Sequence, residues 1–496
     1  MKKLKILFVS TEIYPFAKTG GLADVSSALP KALKDLGHEI RVIMPKYKFI
    51  NERKYILREV IRLRDIEIPL GTKTKTLSVK SAFIPDSKVQ VYFVDSKEYF
   101  GRMGIYVDPK KKKDYPDNAD RFIVFSRAVL ETLKRLLWAP DVVHCNDWQS
   151  ALVMYYLRTV YQEEPLLSKA ISLLSIHNLG FQGNFPKNVA EKAGIDKSEF
   201  TPGSAFEYFD KFSFLKTGIN YADIVNTVSK KYAEEIQESE EYGFGFEGLL
   251  RSNKKKLFGI LNGIDYSVWN PETDEYIEEN YSIKSISRKK DNKIKLLEEA
   301  GLKYDENVPL IGMISRLVDQ KGFDLIDNAK KELAEMNAQF IVLGTGEEKY
   351  HKMFKGLKKK YPDKFAVFLS YDEALAHKIE AGADMFLMPS KYEPCGLNQM
   401  ISLKYGTVPI VRLTGGLADT IKNYNPKTGE GNGFTFLKYS EDEMIKAVKH
   451  AIKLFEDNKE WIKFVKKGMK TDFSWSKSAK NYTKLYEQTI KAKIKK

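Results

Sequence analysis

The sequence predicts an α/β protein with two doubly wound parallel sheets, one in each half of the chain. Short runs of β-branched and aromatic residues recur between longer stretches of helical spacing, as in buried parallel strands joined by crossover helices. A turn-rich segment, Gly259-Ile-Leu-Asn-Gly-Ile-Asp265, separates two such series. At 496 residues, the chain is also longer than a typical single domain.

The apolar runs give the predicted strands and the domain boundary. In the first half, the predicted strands are 5–10, 39–44, 89–94, 141–145, 171–176 and 224–227. In the second half, they are 309–314, 339–343, 366–369, 385–388 and 408–411. Residues 270–293 are polar and weakly patterned, which predicts a connection between domains. We therefore place the first domain at 1–260 and begin the second at 261.

The formal charge of +15 does not identify a partner by itself. Such a charge suits nucleic acid, an anionic membrane surface or a phosphorylated substrate. Lysines are spread along the whole chain, so we expect most of them to be solvated. The sequence contains no recognised nucleic-acid-binding module and no run of about 20 apolar residues, so neither nucleic acid nor a membrane is an expected partner.

The cysteines and the N-terminus predict a cytoplasmic protein. The two cysteines, Cys145 and Cys395, have neither the spacing of a disulfide framework nor that of a zinc site. The first apolar run stops at Ser10, Thr11 and Glu12, which is too short for a signal-peptide core.

One hexapeptide occurs twice: Thr19-Gly-Gly-Leu-Ala-Asp24 is repeated as Thr414-Gly-Gly-Leu-Ala-Asp419. Each copy lies between a predicted strand and a predicted helix, where paired glycines allow close backbone approach and helix N–H groups can bind an anion. A tight turn would explain either copy alone, but the recurrence favours ligand contact. Neither copy fits the dinucleotide fingerprint or a Walker A loop, and Gly344-Thr-Gly346 is incomplete as such a motif, so hydride transfer and ATP hydrolysis are not favoured.

Six motifs follow one another over nearly the whole chain. They are Lys18–Val25, His177–Gly183, Asn262–Asp265, Ser315–Gly322, Pro389–Leu397 and Thr414–Asp419. Together they resemble the signature set of bacterial glycogen synthases, in the order found in that family, and the ending Asp472-Phe-Ser-Trp475 is similar as well. The resemblance implies the GT-B fold, with two Rossmann-like domains, 1–260 and 261–474, facing across a deep cleft, and a helix over 475–496 that crosses back to the first.

The resemblance also implies a reaction. The enzyme would transfer glucose from ADP-glucose to the non-reducing 4-hydroxyl of an α-1,4-glucan such as glycogen, with retention of configuration. Neither a cofactor nor a metal is expected, because no D-x-D carboxylate pair occurs in the sequence. No residue distinguishes adenine from uracil, so UDP-glucose stays open as the donor.

The donor site needs fixed cations, because displacement of a nucleoside diphosphate builds negative charge on phosphate. Arg316 and Lys321 follow a predicted strand and supply a fork donor and a point charge. By resemblance, these two residues and Lys18 bind the nucleotide sugar. The other predicted donor-binding residues are Gly20, Gly21, Cys395, Gly396, Leu397, Thr414, Gly415 and Gly416.

Three residues are the predicted catalytic set, and each follows a predicted strand. By resemblance, Glu393 and His177 contact the donor glucose, and Asp147 lies near the sugar or the acceptor. No carboxylate pair of the kind used by glycosidases is evident, so a covalent double displacement is not supported. We expect front-face attack, in which the departing phosphate oxygen takes the proton of the acceptor hydroxyl. Nothing in the sequence makes Cys395 a nucleophile.

Three other readings of the sequence are open. The chain could be a GT-B glucosyltransferase with another donor or acceptor, as in sucrose or trehalose synthesis. It could also be a non-catalytic α-glucan-binding protein, although such a protein would be expected to lose Lys18, Arg316, Lys321 and Glu393, which are all present. Nucleic-acid binding rests on net charge alone.

Overall fold

A computed structural model describes residues 3–494 of the chain. The chain forms two compact units. The first contains the chain up to Val228, Ala233–Ile260 and the stretch from Trp475 onward, and the second contains Ser229–Tyr232 and Leu261–Ser474.

The first unit is built on a ten-stranded sheet. Strands β15-β14-β10-β9-β1-β2-β6 are parallel, and β5 adds an antiparallel edge on which β3 and β4 pair. The remaining strands form two small sheets, β11-β13-β12 and β7-β8. The strands of this unit are β1 (Lys5–Val9), β2 (Glu39–Pro45), β3 (Arg58–Glu59), β4 (Ile66–Leu70), β5 (Lys73–Phe83), β6 (Gln90–Asp95), β7 (Val107–Asp108), β8 (Lys113–Asp114), β9 (Val142–Asn146), β10 (Ile171–Ile176), β11 (Asn184–Pro186), β12 (Glu207–Tyr208), β13 (Lys211–Ser213), β14 (Ile224–Thr227) and β15 (Leu257–Gly259).

Helices connect these strands along the chain. The central parallel strands are buried on both sides, as their continuous apolar runs require. The helices up to the second unit are α1 (Gly21–Asp35), α2 (Lys97–Phe100), α3 (Asn118–Leu136), α4 (Leu152–Arg158), α5 (Val189–Lys192), α6 (Phe214–Tyr221), α7 (Lys230–Glu235), α8 (Glu240–Gly243) and α9 (Glu247–Ser252).

The second unit has a six-stranded sheet, in the order β18-β17-β16-β19-β20-β21, and every pair in it is parallel. Its strands are β16 (Leu310–Ile314), β17 (Gln339–Leu343), β18 (Phe365–Phe368), β19 (Met385–Met388), β20 (Val408–Arg412) and β21 (Phe434–Phe436). Its helices are α10 (Lys289–Ala300), α11 (Phe323–Asn328), α12 (Lys330–Glu335), α13 (Glu348–Lys360), α14 (Glu373–Gly382), α15 (Asn398–Lys404), α16 (Gly415–Thr420), α17 (Glu441–Phe455) and α18 (Asn458–Met469).

Each sheet has a point at which its strand order reverses direction. In the first unit, the chain leaves β1 toward β2 and β6 and later returns to β9 on the other side of β1. In the second unit, the same reversal separates β16 from β19. Open parallel sheets bind ligands beyond the carboxyl ends of the strands at such switch points. The loops after β1, β9, β16 and β19 are therefore the expected positions of a ligand-binding site.

The last helix, α19 (Trp475–Ile494), belongs to the first unit and packs along α1. Its buried Tyr486 hydroxyl lies 2.7 Å from Nδ1 of His144, and Nε2 of His144 lies 2.6 Å from the Ser175 hydroxyl. One turn earlier, the Tyr482 hydroxyl accepts a hydrogen bond from Asn226 at 3.1 Å. Buried polar groups of β9 and β14 are thus satisfied by this helix, and burial lowers the pKa of His144 well below its usual value.

All eleven strands expected from apolar runs are present, with ends that differ by at most one residue. The expectation missed the antiparallel edge and the short strands. Strand β5 is rich in Lys, Ser and Thr and alternates between exposed and buried positions, so no continuous apolar run marks it. Strands β15 and β21 have only three residues each, which is too short for a pattern to register.

The expectation that residues 270–293 form a connection between domains is wrong. This segment packs into the second unit, where the Tyr281 hydroxyl donates to the carbonyl of Tyr405 at 2.7 Å. The Lys289 ammonium is buried and lies 2.8 Å from the Thr407 hydroxyl, while Lys293 pairs with a carboxylate of the same unit. From the sequence alone, a segment with these charged residues looks like a solvated linker, because the buried partners of the charges lie far away along the chain.

Candidate active site

The loop after β1 is held by the buried carboxylate of Glu12. This carboxylate accepts hydrogen bonds from the backbone N–H of Thr19 at 2.5 Å, from the Thr19 hydroxyl at 2.7 Å and from the backbone N–H of Gly20 at 3.3 Å. The Tyr106 hydroxyl donates to the same carboxylate at 2.8 Å. One side chain therefore fixes the first copy of the repeated hexapeptide at the switch point of its sheet.

Lys18 and the two glycines after it lie on the exposed side of this loop. The Lys18 ammonium pairs with Asp24 at 2.7 Å. Gly21 begins the 15-residue helix α1. A Cβ atom added to Gly20 or Gly21 would meet no described atom within 4 Å beyond its chain neighbours. The start of α1 thus combines a nearby cation, a helix N-terminus and open space, which is what an anionic ligand requires.

Asp147 follows β9 in a strained backbone conformation, with φ +56° and ψ −178°. Non-glycine residues rarely adopt this conformation, and such outliers cluster at functional sites. Its carboxylate accepts the backbone N–H of His177 at 2.7 Å. Burial raises the pKa of Asp147 to about 7, against the effect of that hydrogen bond, and the nearby Glu12 carboxylate raises it further.

His177 follows β10 and is held in one tautomer. The Asn146 amide nitrogen donates to the carbonyl of Val9 at 2.9 Å, which leaves its oxygen facing Nε2 of His177 at 2.9 Å. Nε2 must therefore carry a proton and Nδ1 an acceptor lone pair, because burial lowers the pKa of His177 to about 4 and keeps the ring neutral. His177 and Asp147 lie together through the hydrogen bond between the His177 N–H and the Asp147 carboxylate.

In the second unit, Glu393 and Lys321 form an ion pair of 2.6 Å at the switch point between β16 and β19. The Ser390 hydroxyl donates to the same carboxylate oxygen at 3.0 Å. Gly322 explains the close fit of the two loops. Its φ of +76° suits glycine, and an added Cβ would lie 2.0 Å from the carbonyl oxygen of Pro389.

Arg316 lies in the loop after β16, five positions before Lys321. Among residues 3–494, no hydrogen bond or ion pair engages its exposed guanidinium. The backbone beside it is nevertheless fixed, because Leu317 donates to the carbonyl of Thr345 at 3.0 Å. Gly344 and Gly346 allow this approach, since added Cβ atoms would lie 1.9 Å from the Ser315 carbonyl and 2.3 Å from that of Leu317. Arg316 is thus a cation on a rigid loop.

The second copy of the hexapeptide packs directly on the loop that carries Glu393. An added Cβ at Gly415 would lie 2.0 Å from the carbonyl oxygen of Glu393, and one at Gly416 would lie 1.8 Å from that of Cys395. The N–H of Gly416 donates to the Glu393 carbonyl at 3.0 Å. These glycines are therefore needed for packing, whereas Gly20 and Gly21 face open space.

The remaining predicted donor-binding residues surround this contact. Thr414 is buried and directly precedes α16, while Gly396, with φ +67°, and Leu397 lead into α15. Cys395 is buried, and burial raises its pKa to about 12, so its thiol is a poor nucleophile at neutral pH.

Sequence reasoning missed residues that orient the candidate side chains within each unit: Glu12, Tyr106 and Asn146 in the first unit and Ser390 in the second. Glu12 and Asn146 do carry a recognisable signal, since each is a polar residue at or just beyond the end of an apolar strand. Ser390, two residues beyond β19, carries the same signal, whereas Tyr106 carries none because its role depends on which loops meet in space. Among the described residues, no group of three His, Cys, Asp or Glu side chains could hold a metal ion.

Two family models match most of this chain. Residues 5–252 match the family model of the starch synthase catalytic domain, and residues 296–468 match that of glycosyl transferases group 1. The glycogen synthase of Koribacter versatilis is 47% identical over 485 residues, which cover 98% of each chain. No helix among residues 3–494 is both long and apolar enough to cross a membrane.

Two solved structures share the fold. The catalytic domain of starch synthase IV from Arabidopsis thaliana, bound to ADP and acarbose, superposes with a TM-score of 0.88 at 33% identity and covers 99% of this chain and 100% of its own. Sucrose-phosphate synthase from Thermosynechococcus elongatus gives a TM-score of 0.60 at 16% identity, with 99% and 100% covered. The predicted GT-B class, with its Rossmann-like parallel sheets, is confirmed.

Proposed function

Because the chain belongs to the starch and glycogen synthase family of glycosyltransferases, we propose that it transfers glucose from ADP-glucose to the non-reducing 4-hydroxyl of an α-1,4-glucan, with retention of configuration. The observation that carries this proposal is the Lys321–Glu393 pair of 2.6 Å at a sheet switch point, together with Arg316 in the loop after β16, whose guanidinium no described residue engages. Leaving-group phosphate and a developing positive sugar ring need this combination of cations and an anion.

The donor diphosphate is assigned to the cations. Arg316 offers a planar fork and Lys321 a compact charge, and these suit two different phosphate oxygens. Lys321 can release Glu393 when phosphate competes for its ammonium group. Lys18 and the N-terminus of α1 supply further positive potential in the first unit. We infer that the second unit, 261–474, holds the nucleotide sugar and that the first unit is the acceptor side.

The catalytic assignments follow the charges that develop on the sugar. Glu393 and an ionised Asp147 stabilise the oxocarbenium-like ring, and the neutral His177 offers an acceptor nitrogen to a sugar hydroxyl. The acceptor hydroxyl attacks from the face that the diphosphate leaves, and a departing phosphate oxygen takes its proton. Isolation of a glucosyl adduct on Glu393 or Asp147 by mass spectrometry would contradict this front-face mechanism.

Asp147 should make the reaction depend on pH. Below about pH 7 its carboxyl is protonated and carries no charge, whereas above that value it is ionised. Since only the ionised form stabilises a positive sugar, kcat/KM is expected to rise between pH 6 and pH 8 and then to level off. The Asp147→Asn variant should lose this rise and be slower throughout. An unchanged inflection in that variant would assign the pH dependence to another group.

The two copies of the hexapeptide should respond in opposite ways to an added methyl group. Gly21→Ala meets open space and improves helix propensity, so thermal stability should be unchanged or slightly raised while KM for ADP-glucose increases. Gly416→Ala places Cβ against the Cys395 carbonyl and should lower stability by about 2–4 kcal/mol. Thermal unfolding and donor kinetics of both variants test this difference. A stable Gly416→Ala enzyme, or a Gly21→Ala enzyme with unchanged donor KM, would contradict it.

We infer a cytoplasmic location, supported by two buried cysteines that are not paired in a disulfide. The choice of ADP over UDP rests on the ADP-bound starch synthase and is separate from the residue assignments.

The test is incorporation of labelled glucose into glycogen from ADP-glucose and, in parallel, from UDP-glucose, with EDTA present. Faster transfer from ADP-glucose is expected. Faster transfer from UDP-glucose would correct the donor, and no transfer from either sugar would contradict the proposed function.

A further inference from the structure

The loop after β19, which carries the proposed catalytic carboxylate, is held at the carbonyl groups of four successive residues, 393–396. The first of these carbonyls accepts the N–H of Gly416 at 3.0 Å. The next, that of Pro394, accepts the buried hydroxyl of Ser229 at 2.7 Å. The last two each lie 3.1 Å from the side-chain nitrogen of Gln399 in α15. We call Ser229, Gln399 and the Gly416 N–H the carbonyl clamp, since three separate segments supply its donors.

Ser229 reaches this loop from a turn that is itself fixed. Its hydroxyl donates to the carbonyl of Pro394 and accepts the backbone N–H of Tyr232 at 3.1 Å, as a residue that caps the start of α7 does. The Asp419 carboxylate accepts the backbone N–H groups of the two residues after Ser229, at 2.5 and 3.1 Å. Asp419 ends the second copy of the hexapeptide, which therefore supports the clamp as well as packing on the loop.

The surroundings of Gln399 allow its amide one orientation. The side chain is fully buried, and its nitrogen faces two carbonyls, which can only accept hydrogen bonds. The same nitrogen lies 3.1 Å from the Thr420 hydroxyl, which donates to the Gly416 carbonyl at 2.6 Å. Gly396 makes room for the other end of the amide, because an added Cβ there would lie 2.5 Å from Oε1 of Gln399. The amide is therefore held by both its hydrogen bonds and its packing.

The clamp holds Glu393 by its backbone, whereas Lys321 at 2.6 Å and Ser390 at 3.0 Å hold its carboxylate. In the proposed reaction, the donor diphosphate competes for the Lys321 ammonium, so the carboxylate then depends more on the backbone that carries it. A displacement of about 1 Å can slow a reaction about 100-fold. Because the clamp does not involve the carboxylate, it continues to act after Lys321 turns to phosphate.

We propose that Ser229 and Gln399 are positioning residues, which keep the Glu393 carboxylate in place for the reacting sugar by holding the backbone of residues 393–396. This inference rests on the proposed function, in which Glu393 stabilises the positive sugar ring. Both side chains are uncharged and fully buried, so they act through the loop and not on the substrate. Ser229 lies outside all six sequence motifs and 165 positions before Pro394, so only the folded chain reveals this contact.

Ser229→Ala removes the hydroxyl and should lower kcat for transfer from ADP-glucose to glycogen about 10- to 100-fold. Gln399→Met keeps the length of the side chain, removes the donor and should act in the same direction. Ser282→Ala is the matched control, because its half-buried hydroxyl also accepts a backbone N–H, that of Lys284 at 3.2 Å, but belongs to another segment of the second unit. It should lower Tm to a similar degree and leave kcat within about twofold.

A second comparison asks whether Ser229 acts through Glu393. In the Glu393→Gln background, Ser229→Ala should lower the remaining rate by less than about threefold, because the carboxylate that it positions is gone. A residue that only stabilised the fold would have the same effect in both backgrounds. The values of kcat for the four proteins of this cycle, measured well below Tm, distinguish the two roles.

The two cysteines report on the loop without any need for activity. Cys395 follows Pro394 in the clamped loop, whereas Cys145 lies in β9 of the first unit, and both are buried. Release of the loop should let iodoacetamide reach Cys395 at least about tenfold faster in Ser229→Ala than in the wild type or Ser282→Ala. Alkylation of Cys145, followed by peptide mass spectrometry, should stay at the wild-type rate.

The outcomes separate this inference from the proposed function. If Ser229→Ala and Gln399→Met transfer glucose as fast as Ser282→Ala, or if Ser229→Ala slows both backgrounds equally, the positioning role is wrong and the function stands. If both cysteines react faster in the two clamp variants, these residues stabilise the whole fold and the proposal is again wrong. If the wild type transfers no glucose while Cys395 alone responds to Ser229→Ala, the proposed function fails and the hold on the loop remains.

Discussion

Glu393→Gln is expected to lower the rate of glucose transfer by about a thousandfold or more, which corresponds to roughly 4 kcal/mol of transition-state stabilisation. The carboxylate lies in a buried setting, 2.6 Å from Lys321, so it can stabilise a positive sugar ring with little screening by water. The glutamine keeps the shape and removes the charge. Initial rates of transfer from ADP-glucose to glycogen, together with KM for both substrates, measure the effect.

Two comparisons make the Glu393 result specific. Glu332→Gln neutralises an exposed acid on α12 of the same unit and should leave the rate within about twofold. Circular dichroism and Tm of Glu393→Gln should match those of a folded protein, so that lost activity reports chemistry. If folded Glu393→Gln retains more than about a tenth of the wild-type rate, the catalytic role of Glu393 is wrong.

Arg316→Ala is expected to lower kcat/KM for ADP-glucose by about 100- to 1000-fold with almost no loss of stability. Its guanidinium is exposed, so its removal breaks no hydrogen bond or ion pair among residues 3–494. The neighbouring backbone stays fixed by the bond from Leu317 to Thr345. Donor kinetics and thermal unfolding on the same preparation give both quantities.

Arg288→Ala is the matched control, because it removes another exposed arginine of the second unit and should leave donor kinetics unchanged. Lys321→Ala should behave differently from Arg316→Ala. It deletes a phosphate ligand and also leaves the Glu393 carboxylate buried without its partner, so both activity and stability should fall. If Arg316→Ala lowers Tm substantially, or binds ADP-glucose as tightly as the wild type, Arg316 has a structural role.

The buried parallel strands could be predicted because their signal is local. Runs such as Ile171–Ile176 and Met385–Met388 are apolar throughout, as burial on both faces requires. The antiparallel edge strand Lys73–Phe83 could not be predicted in this way, because one face of it is exposed and polar. The prediction that the polar stretch 270–293, which includes Asp274 and Lys289, connects the domains was wrong for a related reason. A buried charge differs from a solvated one only through partners that the sequence does not reveal.

The residue types at strand ends predicted which side chains belong to the candidate site. The sequence did not predict how those side chains are oriented. Asp147, Arg316, Lys321 and Glu393 follow strands that border the two switch points, and His177 follows β10, the strand next to β9. Their electrostatics depend on contacts between distant segments, as when the Asn146 amide fixes the tautomer of His177.

The repeated hexapeptide shows a further limit of sequence reasoning. Its copies have the same six letters, yet Gly20 faces open space whereas Gly416 lies against the Cys395 carbonyl. Identical motifs can thus meet different physical demands.

The central claim is retaining transfer of glucose to an α-glucan, and proton NMR of a reaction between ADP-glucose and maltotriose tests it most directly. The account predicts that the new anomeric signal is that of an α-1,4 linkage and that one ADP is released per glucose transferred. A β-linked product, or release of free glucose without chain growth, would contradict it.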